Sequence, residues 1–180
     1  MTADTAPRAL IVMGVSGSGK TSIGTALADR LGWTYEDADD FHPAANVAKM
    51  SAGHPLTDDD RWPWLRAIAA EIDRVVDGGG YVVFGCSALK RSYRDVLVHG
   101  RADTRIVYLD GSRETIAGRI AARRHHFMPP GLLDSQFATL EPPGADEKPL
   151  VVGIDHPIDQ IVDRIVAQLP AAAAPRSVVE

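Results

Sequence analysis

Cysteine is almost absent from this chain of 180 residues: Cys86 stands alone, so no internal disulfide framework is open to it. Long apolar runs are absent too. No stretch approaches the roughly 18 consecutive apolar residues that a spanning helix needs, and the opening MTADTAPRAL lacks the basic and apolar regions of a secretory leader. A cytoplasmic protein with no membrane partner is the expectation. An excess of basic residues is also missing, because 19 Lys and Arg face 24 Asp and Glu, a formal net charge of −5. That balance argues against broad contact with nucleic acid, and any anionic ligand must be met by local basic clusters. No internal repeat and no linker divides the chain. With 45% hydrophobic and 24% charged residues, a length within the roughly 100–200 residues of one domain reads as a single domain over 1–180. Its ends, 1–7 and about 170–180, are expected to fray.

Short apolar runs alternate with longer helical patterns, the order of an α/β fold in which a parallel sheet is covered by helices on both faces. Five candidate strands lie at 9–13, 33–36, 81–85, 105–109 and 150–154. A helix with Asp59 or Asp60 as N-cap carries Trp62, Leu65, Ile68, Ile72 and Val76 at three- and four-residue steps and ends at Asp77. Pro63 then falls in its first turn, where a missing N–H costs little. Further helices are expected from Ser112 to about Arg124 and from Pro157 to Leu169.

The most specific local signal is Gly14-Val-Ser-Gly-Ser-Gly-Lys-Thr21, a complete G-x-x-x-x-G-K-[ST] pattern directly after the first candidate strand. Here Gly14, Ser16, Gly17, Ser18 and Gly19 form a loop whose backbone N–H groups wrap a phosphate at a helix N-terminus. Lys20 reaches the β- and γ-phosphates, Thr21 offers its hydroxyl to Mg²⁺, and Ser22 continues the cradle. An ordinary strand-to-helix turn needs none of this chemistry. The pattern alone does not separate kinases from switches and motors. No Asn-Lys-x-Asp element for guanine is present, and 180 residues leave little chain for motor elements.

Candidate acceptor groups follow the other strands. Asp37, Asp39, Asp40 and His42 lie after the second, at the sheet edge where open α/β sheets bind ligands. A carboxylate there can take a proton from an attacking hydroxyl or hold water on Mg²⁺. Arg61, placed in a helix's first turn, is disfavoured by the macrodipole, which points to a carboxylate ligand for its guanidinium. Ser87, Lys90 and Arg91 open another helix after the third strand. Between Arg113 and Arg124 four arginines oppose one acid, with Arg119 and Arg123 on one face, as a clamp on ATP phosphates would require. The following His125-His126-Phe127-Met128-Pro129-Pro130-Gly131 reads as part of a mobile lid over 121–134. Adjacent histidines diverge and no third ligand is apparent, so zinc is excluded. Cys86 reads as a small buried hydrophobe.

These residues resemble the gluconate kinases, small P-loop kinases related to shikimate and adenylate kinases. The likeness runs from about Leu10 to Asp155. It rests on the 14–21 loop, D-x-D-x-x-H-P at 37–43, N-x-x-K-M at 46–50, G-x-P-L-x-D-D-D-R-x-P-W-L at 53–65, C-S-A-L-K-x-x-Y-R at 86–94, H-F at 126–127, and S-Q-F-x-x-L-E with P-G-A-D-E over 135–147. The resemblance implies a three-layer P-loop sheet and transfer of phosphate from MgATP to the C6 hydroxyl of D-gluconate by a homodimer. It implies Asp39 as the carboxylate facing the acceptor hydroxyl and as a metal-side group with Thr21. Catalysis is assigned to Lys20, Asp39 and Arg123. Acceptor contacts fall to His42, Lys49, Arg61, Ser87, Lys90, Arg91, His126 and Gln136, and nucleotide contacts to the loop, Arg119, Arg123 and Pro157. Two rival readings remain: a shikimate-kinase-like enzyme for another small hydroxy acid, and a nucleotide-binding regulator without an acceptor. The glycine triplet at 78–80 precedes the third strand rather than following it, against the first rival. The basic set Arg61, Lys90 and Arg91 is superfluous in the second.

Overall fold

The computed structural model describes residues 4–123 and 131–173. Its sheet has five strands, β1 (Ala9–Met13), β2 (Thr34–Asp37), β3 (Val82–Gly85), β4 (Thr104–Asp110) and β5 (Leu150–Gly153). They lie in the order β2-β3-β1-β4-β5 and every neighbouring pair is parallel. The unbroken apolar run Ala-Leu-Ile-Val-Met forms β1 because the central strand is covered on both faces, and all five residues are fully buried. Alternate side chains serve two cores. Leu10 and Val12 meet α1 (Lys20–Leu31) and α7 (Ile158–Gln168), whereas Ala9, Ile11 and Met13 meet α3 (Asp58–Asp77) and α4 (Arg91–Val98). That is the three-layer α/β arrangement expected. The remaining helices, α2 (Ala44–Ser51), α5 (Arg113–Ala122) and α6 (Leu132–Thr139), border the carboxyl edge of the sheet. Among the described residues no helix is long and apolar enough to cross a membrane.

One boundary departs from expectation. The N-cap of α3 is Thr57 rather than Asp59 or Asp60: its hydroxyl accepts from Asp60 N–H at 3.2 Å, and the Asp60 carboxylate accepts from Thr57 N–H at 2.8 Å. This reciprocal box satisfies two orphan donors at once, which no isolated acid in the triplet can do. The helix therefore starts earlier, and Pro63 sits inside it rather than in the first turn. Asp60 also pairs with Lys49 of α2 at 2.5 Å, and Asn46 of α2 donates to the Asp60 carbonyl at 2.9 Å.

These bonds, Lys49 first and then Thr57, hold the Asp60 carboxyl down at about 2. A carboxyl whose folded pKa lies below its unfolded value contributes stability above the unfolded value and loses it as pH falls through the folded one. The window is therefore about pH 4 down to 2. Thermal melts should show the wild-type midpoint falling more steeply across that window than the midpoint of Asp60→Asn. Parallel curves would refute the assignment.

Two described residues near the chain ends make contacts with the body of the fold. Asp4 pairs with Arg105 at 2.9 Å, and a short 3₁₀ turn after α7 buries Ala173.

Candidate active site

The phosphate loop joins β1 to α1. Gly19 caps α1 in the left-handed conformation without a side-chain cap, so the first N–H groups of the helix are left to an anion. Gly17 has φ 85°, and a Cβ there would stand 2.7 Å from Ile120 of α5. Only glycine lets α5 approach the loop so closely. Gly14 packs beneath it against Ser18, which is wholly buried with its hydroxyl unpartnered among the described residues. The Lys20 ammonium donates to the carbonyls of Gly14 and Val15 at 3.0 and 3.1 Å, folded back over the loop. Burial lowers its pKa, while Asp39 and Asp37 act in the opposite sense and Arg123 adds to the lowering.

A cleft of about 850 Å³ opens above the loop, within the roughly 300–1,000 Å³ of ligand pockets. Ser16, Gly17, Gly19, Lys20, Thr21 and Ser22 form its floor. Asp37, Asp39, Cys86 and Ser87 stand on one side, and Arg123 reaches in from the end of α5. Asp37 terminates β2 and accepts from Asp39 N–H at 2.9 Å, starting the 3₁₀ turn that presents Asp39. Trp64 of α3 secures this turn by donating its indole N–H to the Ala38 carbonyl at 2.7 Å. Surrounding protein atoms, and then Asp37, raise the Asp39 carboxyl from its ordinary value. His42 stacks on Trp64 with ring centroids 4.3 Å apart, and its Nε2 lies 4.0 Å from the Asp39 carboxylate. Burial lowers its pKa, opposed by Asp39. The Cys86 thiol is pushed up to about 12 by burial, consistent with a small buried hydrophobe.

Beyond Asp39 a second cluster gathers around Asp58. Lys90 lies 3.1 Å and Arg61 3.7 Å from its carboxylate, Tyr93 donates its hydroxyl to it, and both cations lie over the Tyr93 ring. Two cations thus share one carboxylate. Arg61 also donates to the Leu56 carbonyl at 2.8 Å. Three other residues expected on the acceptor are engaged elsewhere. Lys49 is held by Asp60. Arg91 forms a bidentate pair with Asp146 at 2.5 and 3.1 Å, because the first turn of α4 faces the 3₁₀ turn at Ala145–Glu147. Gln136 bonds to Ser16, on the nucleotide side. Arg119 bonds to the Ile154 carbonyl, bridging α5 and the loop that leads to Pro157, the N-cap of α7. Arg124, His125, His126 and Phe127 lie outside the described residues, as does the middle of the expected lid.

Two residues that shape the cleft were not singled out from the sequence as site residues, although one of them, Arg94, ends the 86–94 run. Tyr35 of β2 lines the cleft, and its hydroxyl is buried without a hydrogen-bond partner among the described residues. It fits because Gly85 has no side chain: a Cβ there would stand 2.3 Å from the Tyr35 oxygen. A glycine ending a buried strand was the available signal. Arg94 of α4 is 1% exposed, bidentate to Glu147 at 2.8 and 3.1 Å, and donates to the carbonyls of Ala88 and Leu89. It holds the cleft wall in a conformation where Ala88 has φ 45°, which an alanine rarely adopts unaided.

Comparison with known proteins agrees with this geometry. Residues 16–167 match the family model for shikimate kinase. The chain is 48% identical to the gluconokinase of Gluconobacter oxydans, with 92% of this chain and 93% of that protein covered. It is 44% identical to the probable gluconokinase of Mus musculus, covering 91% and 98%. The crystal structure of a gluconokinase from Sinorhizobium meliloti superposes with a TM-score of 0.80 at 44% identity, over 89% of this chain and 90% of that one. With a phosphate loop facing a carboxylate wall and these relatives, the chain belongs to the gluconokinase family of shikimate-kinase-type phosphotransferases.

Proposed function

We propose that this protein transfers the γ-phosphoryl group of ATP to the C6 hydroxyl of D-gluconate, releasing 6-phospho-D-gluconate and ADP. The observation that carries the reading is one cleft in which Lys20 and the phosphate loop face Asp39, with the Arg61 and Lys90 cations beyond it. Nucleotide phosphates seat on the loop N–H groups. Lys20, released from the Gly14 and Val15 carbonyls, neutralises charge on the transferring group, and Arg123 adds a second cation from the opposite wall. The Asp39 carboxylate orients the attacking hydroxyl and takes its proton. The hydroxyl of Thr21 and the carboxylate of Asp39 are hard oxygen donors of the kind Mg²⁺ selects, and the ion supplies neutralisation of phosphate charge. Ser87 and His42 border the acceptor, and the Arg61–Lys90 pair receives its carboxylate. Segment 121–134 serves as the lid, and the working unit is a cytoplasmic homodimer, as the resemblance implies.

A coupled assay of ADP release with gluconate, shikimate, glycerate and a nucleoside monophosphate tests the reading. Turnover with gluconate well above the others is the expected result. Preference for shikimate would favour the wider family's reaction, and no acceptor-dependent turnover would favour a nucleotide-binding regulator.

Arg61 gives a sharper test of the carboxylate site. A charge-assisted pair contributes about 1.5–3 kcal/mol, so Arg61→Ala should raise the gluconate KM roughly 10- to 150-fold and leave the ATP KM nearly unchanged. Arg61→Lys should recover only part, since a point charge cannot make a bidentate contact. If Arg61 serves only its Leu56 and Asp58 contacts, Arg61→Ala would lower the melting temperature and move both KM values alike.

A further inference from the structure

Both ends of the Gln136 carboxamide are engaged by a single residue 120 positions away. Its Oε1 accepts from Ser16 N–H at 2.6 Å, and its Nε2 donates to Ser16 Oγ at 2.8 Å. The amide orientation follows from chemistry, because a backbone N–H can only donate and must face the oxygen. Ser16 lines the cleft, and it borders the end of the loop where the Lys20 ammonium rests on the Gly14 and Val15 carbonyls. That is the end at which the terminal phosphate belongs, since this lysine serves the β- and γ-phosphates. An amide oxygen on a loop N–H makes the same contact as a phosphate oxygen.

The rest of α6 is lightly held. None of its residues is buried and its N-cap Gly131 offers no side chain. Its other attachments are the partly buried Leu133 and Phe137, and an Arg113–Asp134 pair with Arg113 over the Phe137 ring. The same run of chain continues to the acceptor wall. Glu141 donates its N–H to the Leu89 carbonyl at 2.8 Å, and its carboxylate accepts from Arg91 N–H at 3.0 Å. Residues 136–141 thus tie the phosphate loop to the segment carrying Ser87 and Lys90.

The geometry points to Gln136 as a positioning residue for phosphoryl transfer, one that sets the Ser16 end of the loop against the terminal phosphate of the nucleotide and, with Glu141, keeps loop and acceptor wall in register. This rests on the kinase reading only in that the loop binds a nucleoside triphosphate. The identity of the acceptor does not enter.

Gln136→Glu separates this role from a merely structural latch. A carboxylate still accepts from Ser16 N–H, and the Ser16 hydroxyl can turn to donate to its second oxygen, so a latch survives. The added negative charge stands at the Ser16 end of the loop, nearer the terminal phosphate than the inner ones. Calorimetric titration without acceptor should show the affinity for a non-hydrolysable ATP analogue falling at least about tenfold more than that for ADP, by like-charge repulsion in a partly desolvated site. Gln136→Ala should lower kcat about 10- to 100-fold with ADP affinity within about threefold of wild type. An unchanged ratio of ATP-analogue to ADP affinity in Gln136→Glu, including equal loss of both, would overturn the assignment. So would Gln136→Ala turning over at the wild-type rate. A wild-type chain that bound neither nucleotide would instead remove the kinase reading itself.

Discussion

Replacing Asp39 by asparagine should lower kcat by about 10²- to 10⁴-fold, the range over which a positioned general base acts. Asparagine keeps the shape of the side chain and its place on the 3₁₀ turn, so the fold, and the affinity for nucleotide in the absence of Mg²⁺, should be little changed. The pH profile carries a second signature. Transfer requires Asp39 ionised, so activity in the wild type should rise with pH through an acid limb. That limb should vanish in Asp39→Asn. Loss of rate with the limb intact would assign the proton to another group, and an unchanged kcat would remove Asp39 from the chemistry.

Lys20→Ala should lower kcat/KM by at least about 10²-fold, the scale of losing a preorganised charge at the point where negative charge develops. The lysine is half-buried and folded over the loop, its ammonium held by two backbone carbonyls. Its removal leaves those carbonyls to water and to the N–H groups around them, so the fold should persist. Equal melting temperatures for variant and wild type, alongside the lost activity, would show that the effect is chemical. Activity within threefold of wild type would exclude Lys20 from the mechanism.

These effects lie in residues that local pattern made legible. Strand β1 announces itself as five consecutive apolar residues, and the Gly-rich loop after it has a spacing that only phosphate chemistry explains. Asp39 was visible because it follows a strand end at the ligand-binding edge. What local pattern hides is orientation. Lys90 and Arg91 are neighbours in the chain, yet Lys90 turns to Asp58 and Arg91 to Asp146, because α4 begins between them. The Thr57 cap was missed because three following acids offered simpler caps, and the decisive feature was the return bond from Asp60. Nothing in the neighbourhood of Gln136 signals a partner 120 residues earlier. Arg94 closes the C-S-A-L-K-x-x-Y-R run, but nothing in that run signals that its side chain is buried. The Glu147 carboxylate together with the Ala88 and Leu89 carbonyls offsets the cost of burying it.

Regiospecific transfer of the γ-phosphoryl group to the terminal hydroxyl of gluconate can be read from phosphorus NMR of the reaction mixture. A phosphomonoester on C6 couples to the two hydrogens of that carbon. A triplet that grows with ADP in equal amount is the expected result when protein, MgATP and gluconate are combined. A doublet from a secondary carbon, or inorganic phosphate alone, would contradict it.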